Sequence, residues 1–157
     1  MRKYLPMGVG MDRELRLRIV IEKPPAGIDY ALQKGRGHAY ETVQTQRSSN
    51  KDVKFEFAVG VKERGKGSAP ALTGSYVQGP PASKFVYIDI GASAGQKDTP
   101  WSRRLKVPLT NISAATIDQV ARDSGAVLEA RVPGAGKNGE PNCATVKPFA
   151  GWKLVRS

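Results

Sequence analysis

Apolar and polar residues alternate along much of this chain. In "ELRLRIVIE", residues 14–22, Leu15, Leu17, Ile19 and Ile21 share one face, while Arg16, Arg18 and Glu22 share the other with Val20. Side chains alternate faces along a strand, so this spacing predicts a strand with one buried side. "VKFEFAVGVK", 53–62, repeats it with Val53, Phe55, Phe57, Val59 and Val61. "RRLKVPL", 103–109, places Leu105, Val107 and Leu109 inward and Arg104 and Lys106 outward. "KFVYIDIG", 84–91, is apolar on both faces and belongs in the middle of a sheet. Weaker strands are predicted over 28–33, 40–46, 72–79, 126–132 and within 143–155. Pro24-Pro25, Gly27 and Pro80-Pro81 interrupt the series, since proline cannot donate to a ladder.

One segment departs from this period. "AATIDQVARDS" follows Ser113, a good N-cap, and places Ile117, Val120 and Ala121 on one side of a helix; Gly125 is the expected C′ residue. Eight or nine short strands and one α-helix near residues 113–124 predict an all-β fold. The natural packing is a single antiparallel β-barrel or sandwich over residues 12–157, with residues 1–11 as a flexible N-terminal tail.

The chain has 157 residues, enough for one domain with its own core. Its 17 Gly and 11 Pro suit many turns. The net charge of +11 favours an anionic partner, a small acidic ligand or nucleic acid, although the basic residues are scattered among acids. The single cysteine, Cys143, excludes an internal disulfide and makes the cytoplasm the simplest compartment. No apolar run is long enough to cross a membrane as a helix, and the N-terminus lacks the apolar core of a secretory signal.

Two phosphate-binding motifs fail on context. "GVKERGKG", 60–67, begins like a P-loop, but Gly67 replaces the required Ser or Thr and Pro70 follows at once. "GAGKNG", 134–139, fits the spelling of a dinucleotide-binding turn, yet a proline and a strand follow where a helix is needed. Asn138-Gly139 reads better as a hairpin turn. A thiol enzyme would need Cys143 activated by His38, the lone histidine, and one residue of each kind makes no zinc cluster. Asp29, Glu41 and Asp89 show no carboxylate pairing in their spacing. No cofactor is implied.

The best candidate ligand site follows from parity. Arg103 shares its face with Leu105 and Val107, an expensive place for a guanidinium unless it is paired or lies at a rim. At a barrel mouth its planar fork suits a carboxylate or phosphate, and Trp101 can stack beside it. Lys34 and Arg36 of the "KGRG" loop are the candidate co-ligands. The competing reading is structural: Arg103 bridges to Asp98 or Glu129 and Trp101 caps the core.

The segments "LQKGRG", "FVYIDIGASAGQ", "WSRRLKVPL" and "ARVPGAGKNGEPNCATVKPFAGWKLV" together resemble a family of small bacterial proteins classed as a domain of unknown function. The resemblance runs from about Leu15 to Val155. It implies a bacterial protein and brings no activity, cofactor or site residue. The sequence thus favours a module that binds a small anionic ligand. The alternatives are a nucleic-acid-binding protein using a basic face and an enzyme of unknown reaction.

Overall fold

The period-two segments form strands that sort into two sheets. The computed structural model describes residues 13–36, 39–62, 71–78, 86–93, 103–109, 112–123, 125–133 and 151–156, with the backbone alone at 35–36, 39–43, 93, 103–104 and 133. The elements are β1 (Arg13–Glu22), β2 (Asp29–Arg36), β3 (Ala39–Arg47), β4 (Val53–Lys62), β5 (Ala71–Thr73), β6 (Val77–Gln78), β7 (Tyr87–Ser93), β8 (Arg103–Pro108), α1 (Ala114–Arg122), β9 (Ala126–Pro133) and β10 (Trp152–Arg156). One sheet has the order β10-β9-β1-β4-β5. The other runs β3-β2-β7-β6, with β8 also on β7. Because β8 pairs with β7 from Tyr87 to Ala92, β2 and β6 share the opposite edge of β7.

The core lies between the sheets. Leu15, Leu17, Ile19 and Ile21 of β1 and Val53, Phe55, Phe57, Val59 and Val61 of β4 are buried there, as the alternation predicts. Tyr30 and Leu32 of β2, Ile88, Ile90 and Ala92 of β7, and Leu105 and Val107 of β8 face them from the second sheet. Burial pushes the Tyr30 hydroxyl up to about 12, so it stays protonated. In α1, Ile117 and Val120 reach the same core, and Ser113 caps the N-terminus by accepting the Thr116 N–H at 3.1 Å.

Three expectations need correction. The sheets are not wholly antiparallel: β9 lies parallel to β1, with Leu17 beside Leu128 and Ile21 beside Val132. Parallel neighbours need a crossover, and α1, packed on both strands, delivers β9 at the end where β1 begins. Gly125 is also not the glycine in a left-handed cap. Asp123, in extended conformation, is the C-cap, and its carboxylate accepts the Gly125 N–H at 2.9 Å. The predicted strand at 72–79 divides into β5 and β6 at Gly74, whose φ of +124° suits glycine.

Side chains join the two sheets along both flanks, which makes the molecule a sandwich. On one flank the Gln44 side-chain amide donates to the Glu56 carbonyl at 2.8 Å, and Gln46 donates to the Lys54 carbonyl. On the other, the Trp152 indole N–H donates to the Pro108 carbonyl at 2.8 Å. These bonds explain why β3 looked weak in sequence. Gln44 and Gln46 occupy its inward row, opposite Leu32 and Tyr30, and meet the backbone of β4 where other strands meet apolar side chains.

Candidate functional site

The outer face of the first sheet is a closed ion network. Arg18 on β1 donates to Glu129 on β9 at 3.0 Å and to Glu56 on β4 at 3.2 Å. Arg131 on β9 donates to Glu129 at 3.1 Å, to Glu22 at 2.9 Å and to Asp52 at 3.1 Å. Burial alone would raise the Glu129 carboxyl, but hydrogen bonds from Arg18 and Arg131 outweigh it and hold the group below its ordinary range. Hydrogen bonding to Glu129 likewise raises Arg18. Val20 and Val127 share the outward rows of these charged residues and are nonetheless buried. Glu129 therefore serves the first sheet's surface.

The outer face of the second sheet is different. Gln33 on β2, Gln78 on β6 and Asp89 on β7 all belong to its outward rows, yet all are buried. Gln33 donates weakly to the Ala31 carbonyl at 3.4 Å and Gln78 to the Ser75 carbonyl at 3.3 Å. Lys106 is the cross-strand neighbour of Asp89, and its ammonium stands 5.2 Å from the centre of the Tyr87 ring. Sequence reasoning named Asp89 but not the two glutamines. A carboxylate inside the doubly apolar run "FVYIDIG" was the only signal for this polar cluster.

The residues proposed from sequence fall at two ends of the sandwich. Arg103 is the first residue of β8 and the register partner of Ala92, a core residue, so its backbone sits on the inward row at the rim. Tyr30 is the partner of Ala92 on the far side of β7. Lys34 and Arg36 therefore lie four and six residues further along β2, about 13 and 20 Å at roughly 3.3 Å per residue, before two strand spacings are added. The structure does not bring them together with Arg103. Trp101, Asp98, His38 and Cys143 lie outside the described residues, as does the stretch 134–139, whereas Gly60–Lys62 of the P-loop-like stretch end strand β4.

Lys34 shares the inward parity of Tyr30 and Leu32 and is half-buried where β2 leaves β7. It enters none of the ion pairs or hydrogen bonds of the described residues. By contrast, Arg13 pairs with Asp118 at 2.6 Å, Arg47 with Asp29 at 2.8 Å, and Arg156 with Asp123. The Arg47 hydrogen bonds hold the Asp29 carboxyl below its ordinary range. Among the described residues no group of three His, Cys, Asp or Glu side chains could hold a metal ion. Nor is any helix among them long and apolar enough to cross a membrane.

Residues 15–155 match the model of DUF5990, a family of unknown function. The chain belongs to that family. No curated protein and no solved structure matches it.

Proposed function

We propose that this member of the DUF5990 family is a cytoplasmic binding module for a small anionic ligand, held at the end of the sandwich where β2 carries Lys34 and Arg36. The observation that carries this reading is Lys34, a half-buried residue on the inward row that enters no ion pair among the described residues. Lys34 is the register partner of Glu41 on β3, and a ligand's carboxylate or phosphate group is the chemistry that a lysine and an arginine on one strand end would receive. Arg103, with Trp101 two residues before it, supplies the alternative rim. The two rims are too far apart for one small ligand to touch both.

Thermal unfolding with inorganic phosphate, citrate or ATP at constant ionic strength tests this. A ligand that binds only the folded chain stabilises it by about 2.7 kcal/mol at a hundredfold excess over Kd. The expected result is a saturable rise with at least one anion that Lys34→Met removes and Arg103→Met leaves intact. The reverse pattern moves the site to the Arg103 rim. No saturable rise with any of the three anions defeats both.

The net charge of +11 favours a second reading, nucleic-acid binding. The first sheet's outer face gives it little support, because Arg18 and Arg131 there are already neutralised by carboxylates. Binding to several phosphates would weaken about tenfold or more between 50 and 200 mM salt, whereas a small ligand would show a shallower slope.

A further inference from the structure

We propose that the free edge of β4 receives an extended, acidic peptide segment of a partner protein as an added strand. β5 pairs only with Gly60, Val61 and Lys62, so the edge from Lys54 to Ala58 has no strand beside it in a ladder among the described residues. Alternate residues of a strand turn their backbone groups to the same edge. The Lys54 and Glu56 carbonyls that accept from Gln46 and Gln44 thus mark the open edge, and the N–H groups of Lys54, Glu56 and Ala58 point the same way. Those three N–H groups have no partner among the described residues.

The glutamine amides are a weak substitute for a strand. Each satisfies one carbonyl, offers nothing to the N–H groups in the bonds observed, and immobilises a long side chain at an entropic cost. A peptide strand would satisfy donors and acceptors together and release both side chains. Its inward residues would lie beside Phe55 and Phe57, so these should be apolar. Its outward residues would lie beside Lys54, with Lys51 and Lys62 at the two ends of the edge. All three lysines are exposed and enter no ion pair among the described residues, whereas Glu56 is occupied by Arg18. Edge lysines oppose basic strands and a second copy of the same edge, and leave an acidic strand unopposed.

The test uses a fluorescein-labelled peptide alternating Glu and Val over six residues, measured by anisotropy against the full chain. The expected results are saturable binding and at least tenfold slower amide exchange at Lys54, Glu56 and Ala58. N-methylation of alternate peptide nitrogens should abolish binding, and Lys54→Glu should weaken it at least tenfold. Gln44→Ala with Gln46→Ala should strengthen it, provided the variant keeps the parent's circular dichroism. Should that variant unfold, Lys54→Glu at its exposed position decides alone. The proposal fails if the peptide does not bind, if N-methylation is without effect, or if exchange at the three amides is unchanged. It also fails if the protein self-associates through this edge, which would assign the edge to a second copy.

Discussion

Replacing Glu129 by Gln removes one negative charge while keeping the side chain's shape. Glu129 is 14% exposed and Arg18 is 16% exposed, so the pair is screened less than a surface ion pair. A hydrogen bond to a charged group contributes about 1.5–3 kcal/mol against about 1 kcal/mol for a neutral one. Glu129 accepts two such bonds, and Arg18 and Arg131 retain Glu56, Glu22 and Asp52 after the substitution. The expected destabilisation is therefore about 1–2 kcal/mol at pH 7, or about 2–8 °C in Tm for a chain of this size. The pH dependence has a definite sign. The folded-state carboxyl of Glu129 is held below its ordinary value. Its contribution is thus complete above about pH 4.3, the usual glutamate value, and is lost as pH falls through the lower folded value. Urea unfolding followed by circular dichroism at pH 7, 5, 4 and 3 should show a parent–variant gap that is constant from 7 to 5 and shrinks below 4. A gap that persists or widens at pH 3, or no gap at pH 7, would refute the argument.

Three further outcomes follow from packing and caps. Phe55→Ala, at a fully buried site between the sheets, should cost about 3–5 kcal/mol in chemical unfolding. Ser113→Ala should cost about 1 kcal/mol, and amide exchange should speed up at Thr116, whose N–H loses its acceptor. Trp152→Phe keeps an aromatic ring but loses the donation to Pro108, so about 1 kcal/mol of stability should go, with faster exchange along β8 and β10 and little change in β4.

Much of the fold was legible in the sequence because burial has a period. The inward rows of β1, β4 and β8 are the residues that alternation selects, and α1 carries its cap and its two buried aliphatics where expected. Three features were not legible, each for a physical reason. The parallel pairing of β1 with β9 depends on where α1 returns the chain, and strand composition does not encode that. The inward glutamines of β3 broke the alternation because their targets are backbone carbonyls on another sheet. The cap at Asp123 competes with Gly125 through a side-chain hydrogen bond that spacing cannot rank. For the candidate site, parity placed Arg103 on an inward row, but Lys34 and Arg36 were expected in a loop where β2 in fact continues to Arg36, and their separation from Arg103 needed the register of β2 on β7 and of β7 on β8.

Amide chemical-shift mapping with citrate at constant ionic strength tests the ligand-binding account most directly. The account predicts saturable shifts centred on Gln33, Lys34, Gly35 and Arg36, absent in Lys34→Met. Shifts that grow without saturation, or that gather on the Arg18–Arg131 face, would contradict it.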